Sequence, residues 1–217
     1  MEYELLASLS EADRRAMLAR MARRSFRRGD TLFHEGDPGE SLHLIEKGRV
    51  AIRPSTPNGD VVTLAVLGPG ACFGEQALIS DAAQRTASAV ALEPVETRVL
   101  HRRDVEELRT TQPSIDRFLV DVLGTQVRRL SRQVLEALYH PAEQRVVRRV
   151  VELAELYDVG ELPIVIGLRQ DDVATMAGTT RPTANRVLQQ LAERRLVSLQ
   201  RGRLQVHDLP SLRQRAR

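Results

Sequence analysis

Residues 25–105 are written in short apolar runs, and that limits what this chain can fold into more than anything else in it. The runs are TLF, SLHLI, RVAI, VVTLAVL, ASAVAL and ETRVL. RRGD, EGDPG, EKG, TPNGD and GPG separate them as turn signals. Period-two runs at this spacing predict an antiparallel barrel or a double-sheet jelly roll. Pro57-Asn58-Gly59-Asp60 is the clearest hairpin signal.

Helical rhythm flanks this region on both sides. Residues 8–24 read SLSEADRRAMLARMARR, with Ser10 as N-cap and Asp13 three residues beyond it. Pro113 and Ser114 open a long helix over 113–139 without an interior proline. Leu119, Leu123, Val127, Leu130, Val134 and Leu138 form a narrow seam of the coiled-coil kind. Ile115, Phe118 and Val122 form a second stripe. One stripe can pack on the chain's own barrel, and the other predicts a homodimer. Pro141 marks a boundary, and a further amphipathic helix covers 142–157 with Val146, Val150, Leu153 and Leu156 on one face. The expected class is therefore α+β, in three parts: 1–112, 113–140 and 141–217.

Cys72 is the only cysteine, which excludes an intrachain disulfide and a cluster held by one chain's thiolates. It is expected to be a small buried side chain. His34, His43, His101, His140 and His207 lack metal-ligand spacing, so no metal is expected. No apolar run approaches membrane-spanning length, and the N-terminus lacks a signal-peptide core, so the expectation is a cytoplasmic protein with no membrane partner. Net charge is only +3, yet residues 141–217 hold 13 Arg against 9 acidic residues. That asymmetry is a weak footprint of nucleic-acid binding.

Two segments carry chemistry. The first is FGEQALISDAAQRTASA at 73–89. Gly74 allows close backbone approach to a ligand and frees N–H groups at the start of a short helix. Glu75 can accept hydrogen bonds from sugar hydroxyls. Arg85 offers a planar fork to phosphate oxygens, and Thr86 adds a hydroxyl. The parts suit a cyclic phosphodiester attached to a ribose.

The second segment is QDDVATMAGTTRPTANRVLQQL at 170–191. Val173, Ala174 and Ala177 form a short apolar face, and Gly178 suits a tight turn. Thr180 can cap a second helix that tolerates Pro182 in its first turn. Ala184, Val187, Leu188 and Leu191 give that helix a buried face, leaving Arg181, Thr183, Asn185 and Arg186 exposed near its N-terminus. This is a helix-turn-helix pattern, whose second helix reads base edges: Arg can pair with guanine and Asn with adenine. LVSLQRGRLQVHDL then reads as a hairpin turning at Arg201-Gly202, a wing that brings Arg201 or Arg203 near phosphates.

Together the two segments resemble the CRP/FNR family of bacterial transcription regulators over nearly the whole chain. The resemblance implies a jelly roll that binds a cyclic nucleotide, a long dimer helix and a winged helix-turn-helix. It implies cyclic AMP as effector, held by Gly74, Glu75, Gln76, Ala77, Arg85 and Thr86. It implies contact with double-stranded DNA at a palindromic site through Thr180, Arg181, Thr183 and Arg186, and RNA polymerase as a partner; Gln170 and Asn185 are expected to contact DNA beside them. Where the family's best-known member has Glu after the first recognition-helix Arg, this chain has Pro182, so the operator is expected to differ. Thr125, Gln126, Ser131 and Gln133 are all candidates to touch the base. The rivals are a family member that is ligand-independent or senses redox or haem, and a regulatory subunit of an enzyme. Residues 142–217 are too few for most catalytic domains and lack a nucleophile–base pairing or phosphate loop, so no catalysis is expected.

Overall fold

A strand buried on both faces, Ser41–Lys47, lies at the heart of the first part of the chain. The computed structural model describes residues 6, 9–78 and 84–216. The chain forms two compact units, one of Met1–Gly59 with Val66–Leu130 and one of Asp60–Ala65 with Ser131–Arg217.

In the first unit, β1 (Ala22–Phe26), β2 (Thr31–Phe33), β3 (Ser41–Lys47), β4 (Val50–Arg53), β5 (Ala65–Leu67), β6 (Cys72–Phe73), β7 (Ser88–Ala91) and β8 (Val95–His101) make two four-stranded sheets. Their orders are β1-β8-β3-β6 and β2-β7-β4-β5. Ile45, Val50, Phe73, Ala89, Ala91 and Val95 form one core, with Phe26, Phe33 and Ile52 packed against it. These residues come from both sheets, so the sheets are the two layers of the expected jelly roll. The other face of β3 is also covered. Leu42 and Leu44 are buried with Met17, Leu100, Leu108, Ile115, Phe118 and Val122. That second core belongs to α1 (Glu11–Arg20), α2 (Arg102–Thr111) and the start of α3 (Ser114–Tyr139). SLHLI therefore has no polar face to show. Ser10 caps α1 as expected, its hydroxyl accepting from Asp13 N–H at 3.1 Å.

On α3 the inner stripe forms as read, but the seam is separate from it only in its later part, since Leu119 and Leu123 are half-buried and Leu119 packs against the inner core. Ile115, Phe118 and Val122 are at most 3% exposed. Val127, Leu130, Val134 and Leu138 of the seam remain exposed in the single chain, at 44–70%. The Pro57–Asp60 signal forms a turn, with Gly59 N–H donating to Thr56 O at 2.8 Å, but not a tight hairpin. β4 ends at Arg53 and β5 starts only at Ala65. Val61 and Leu64, the first half of VVTLAVL, lie outside any strand and are exposed.

The second unit contains α4 (Ala142–Tyr157), β9 (Ile164–Ile166), α5 (Gln170–Met176), α6 (Arg181–Glu193), β10 (Val197–Gln200), β11 (Arg203–Val206) and α7 (Leu209–Arg215). A three-stranded sheet in the order β10-β11-β9 forms the wing. The sequence reading did not anticipate α7. Its cap is Asp208, which accepts from Ser211 N–H at 2.9 Å, and Leu209 and Leu212 are buried. Among the described residues, no helix is long and apolar enough to cross a membrane.

Candidate functional site

The residues around Gly74 and Arg85 are packed so that a guanidinium is held inside the first unit. β6 ends at Phe73, Gly74 takes φ +79°, and a single 3₁₀ turn covers Glu75–Leu78. A Cβ at Gly74 would collide with the Arg85 guanidinium and come within 2.9 Å of Ser41 O. Glycine is required here twice, for the backbone conformation and for the space it leaves the arginine. Gly74→Ala is accordingly expected to destabilise the protein by about 1–3 kcal/mol, the usual range for a strained site, and to lower cyclic-nucleotide affinity with it. Thermal melting and calorimetry check both; an unchanged melting point would contradict the packing described.

Arg85 is only 7% exposed. One terminal nitrogen donates to Gly74 O at 3.1 Å and the other to Ser41 Oγ at 3.0 Å. Its Cζ lies 4.0 Å from the centre of the Phe33 ring, a cation–π contact. Its backbone is fixed by Asp37 O and Gly36 N–H, at 2.9 and 2.8 Å. Nε is buried and has no hydrogen-bond partner among the described residues. A buried donor without a partner is costly, and it belongs to a cation whose other nitrogens are held by neutral oxygens. Burial lowers the Arg85 pKa, against the pull of Asp37 and Glu75.

Glu75 is 7% exposed. Burial raises its pKa, while its own backbone N–H, Arg129 and Arg85 act in the opposite direction. A buried carboxylate and a buried guanidinium thus share one electrostatic neighbourhood and bring acceptor and donor chemistry together. Arg129 is a cation on α3 that the sequence reading missed. No spacing rule links it to Glu75, 54 positions earlier, because only the fold brings them into interaction. Gln76 and Thr86 are exposed beside these two groups. The side chain of Ala77 and residues 79–83 lie outside the described residues.

The four candidate base contacts separate by exposure. Gln126 and Gln133 are half-buried, whereas Thr125 and Ser131 are exposed. The Thr125 hydroxyl is already engaged, donating to Asp121 O at 2.9 Å and accepting from Arg128 at 3.1 Å.

Next to the site, His43 stacks on Phe73 with ring centroids 5.0 Å apart. Burial, with Arg85, His101 and Arg24 adding to it, lowers its pKa to about 3, so it is neutral at physiological pH. Cys72 is 5% exposed, and burial, assisted by Glu75, raises its pKa. It is a protonated core thiol, as expected, without the thiolate character that reactivity needs.

In the second unit the helix-turn-helix forms where the sequence places it. α5 packs Val173 and Ala174 inward. Gly178 makes the turn at φ +58°. A Cβ there would meet nothing within 4 Å, so glycine serves the backbone conformation and not a close helix crossing. Thr180 caps α6, accepting from Thr183 N–H, and Ala184, Val187, Leu188 and Leu191 are buried.

The exposed face of α6 departs from expectation at Thr183 and Asn185. Thr180, Arg181 and Arg186 are exposed, while Gln170 and Thr183 are half-buried. Asn185 is also half-buried, and its Oδ1 is buried without a hydrogen-bond partner among the described residues. Thr183 and Asn185 flank the buried Ala184, one on each side. The outer face runs through Pro182, Arg186 and Gln189, all exposed. The step of three from Arg186 could have identified Gln189. Arg181 pairs with Asp171 at 3.1 Å and Arg186 with Glu143 at 2.7 Å. All four side chains are at least half-exposed, so these pairs hold weakly and can be exchanged. On the wing, Arg201 and Arg203 are exposed. No cluster of His, Cys, Asp and Glu that could hold a metal occurs among the described residues.

These two sites, each in its own unit, define a nucleotide-binding jelly roll joined to a winged helix-turn-helix. Residues 23–112 match the model of the cyclic nucleotide-binding domain, and residues 144–215 match that of the Crp-like helix-turn-helix domain. The cyclic AMP receptor protein of Thermus thermophilus is 34% identical over 191 residues, covering 88% of this chain and 86% of that protein. The global nitrogen regulator of Nostoc sp. PCC 7120 is 25% identical over 187 residues and 84% of each chain. The crystal structure of Thermus thermophilus catabolite activator protein aligns with a TM-score of 0.56 at 32% identity, covering 98% of this chain and 97% of that one. The chain belongs to the CRP/FNR family and is a transcription regulator with a cyclic nucleotide-binding domain. DNA binding and dimer formation are typical of that family.

Proposed function

We propose that this protein is a homodimeric regulator whose affinity for a palindromic DNA site is controlled by cyclic AMP. The observation that carries the reading is the buried Glu75–Arg85 pair, in the same chain as a helix-turn-helix with exposed arginines. Residues 1–112 sense the nucleotide, 113–140 dimerise and 141–217 bind DNA. Arg85, with Thr86 beside it, takes the cyclic phosphate. Glu75 takes the ribose hydroxyl, and the backbone of Gly74, Gln76 and Ala77 completes the cradle. Thr180, Arg181, Thr183 and Arg186 face the DNA, with Gln170 and Asn185 at the flanks. The protein works in the cytoplasm and acts on RNA polymerase once bound.

Control is a population shift. Cyclic AMP must bind one arrangement of the α3 pair more tightly than the other, because equal affinity for both would shift nothing. The favoured arrangement sets the recognition helices to reach successive major grooves. A DNA-shift titration on a palindromic site, with and without cyclic AMP, tests the reading. Tighter binding with the nucleotide is expected. Calorimetry that finds no binding of cyclic AMP or cyclic GMP, with DNA affinity unaffected, would sink it.

Arg181→Ala is expected to cost about 1–3 kcal/mol at the specific operator, the worth of a bidentate pair with guanine. Filter binding on operator and on random DNA checks this. An equal loss on both would assign Arg181 to the backbone alone.

A further inference from the structure

Resting on the DNA-binding reading above, we infer that Arg145 is the positioning residue that fixes the recognition helix to the end of α3. Arg145 sits in the first turn of α4. All three of its guanidinium nitrogens donate to backbone carbonyls. One terminal nitrogen reaches His140 O at 2.8 Å. Nε reaches Ala177 O at 2.8 Å, and the other terminal nitrogen reaches Gly178 O at 2.9 Å. His140 is the residue between Tyr139, the last of α3, and Pro141. Ala177 and Gly178 form the turn of the helix-turn-helix. One planar ion therefore joins the carbonyl at the end of the long helix to the two carbonyls that precede the recognition helix.

The chemistry suits such a coupler. A cation at the carbonyl end of a helix is favoured, and the guanidinium fork fixes both distance and direction. Lysine would bring the charge on a flexible stem and could not hold three divergent acceptors in one plane. The corner to which Arg145 is tied is itself held. Glu136 of α3 and Arg149 of α4 form an ion pair, 6% and 5% exposed. Arg148 pairs with Glu136 as well, at 3.3 Å. Beyond Gly178 the chain enters α6 within three residues, so the direction of that turn sets the direction of the helix that reads DNA. In a dimer, this direction decides which separation of half-sites both recognition helices can occupy together.

The test uses the full chain and the variants Arg145→Lys and Arg145→Gln. Operator affinity is measured by DNA shift on palindromes with the optimal half-site spacing, near 10 base pairs in proteins of this kind, and with spacings one base pair longer and shorter. Binding to a single half-site, cyclic AMP affinity and melting temperature are measured beside it. The parent is expected to prefer one spacing. Both variants are expected to lose about 10-fold of that preference, a shift within the usual range for coupling residues. Half-site binding and nucleotide affinity should stay within about 2-fold of the parent, since Arg145 touches neither ligand. Variants that melt lower but keep the parent's spacing preference would reduce Arg145 to a structural role and overturn the inference alone. A parent that binds no palindrome overturns the DNA-binding reading and the inference with it. If Arg145→Gln fails to fold, Arg145→Lys, which retains the charge, carries the test.

Discussion

Arg85→Ala is expected to weaken cyclic-nucleotide binding by about 100-fold or more, because hydrogen bonds to charged groups are worth roughly 1.5–3 kcal/mol each and a phosphate would take at least two from this side chain. The geometry makes the loss specific. Gly74 O, Ser41 Oγ and the Phe33 ring hold the guanidinium in place before any ligand arrives. The cost of ordering it is met by folding and not by binding. Removal also leaves Glu75 as a buried carboxylate without one of the two cations that act on it. Arg85→Lys should recover little affinity, since an ammonium cannot reach both oxygens and replace the fork. Calorimetry with cyclic AMP measures the effect, and circular dichroism confirms that the jelly roll persists. Affinity within a few-fold of the parent in both variants would contradict the assignment of Arg85 to the phosphate.

The second large effect is expected on the α3 seam. Val127→Glu combined with Leu130→Glu should raise the dimer dissociation constant by roughly 1000-fold, since burying two unpaired carboxylates costs several kcal/mol. Both side chains are exposed in the single chain, at 61% and 44%, in line with Val134 and Leu138. The same helix already buries Ile115, Phe118 and Val122. Val120, Leu135 and Tyr139 of the same helix are exposed as well, but only the seam repeats at the spacing with which the proposed second copy would cover it. Sedimentation velocity over a range of protein concentrations reads the outcome. The variant should run as a folded monomer, still bind cyclic AMP and lose cooperative binding to a palindrome. A variant that stays dimeric would move the interface elsewhere.

How much of this was legible in advance differed from element to element. Thr180 and Ser10 were readable as caps because a cap is a local device, completed within three residues. The two stripes of α3 were readable because helical periodicity is written in one segment. β3 was readable as a strand but not as one buried on both faces. Leu42 and Leu44 meet helices from either side of the barrel sequence, which period two does not reveal. α7 lacks the long apolar periodicity that marks the other helices and was missed. The exposed face of α6 was readable through Arg181 and Arg186, whereas the half-burial of Thr183 and Asn185 was not. Both adjoin the buried Ala184, and how far a neighbour of a buried position is covered depends on what packs against the helix.

The candidate nucleotide site divides in the same way. Gly74, Glu75, Arg85 and Thr86 could be named from one short segment, because residue type and spacing limit what they can hold. That Gly74 makes room for Arg85, that Phe33 and Ser41 brace it, and that Arg129 acts on Glu75 are relations between distant segments. Arg145 is the strongest case: in sequence it is one of three arginines on an amphipathic helix. By itself, the sequence determined the order of elements, the residue types of both sites and the outer stripe of α3, all properties of short segments. Only the tertiary structure decided which charges are buried, what they lean on and which carbonyls a single guanidinium joins. Burial and hydrogen-bond geometry depend on chain segments that meet in space and carry no mark of one another in sequence.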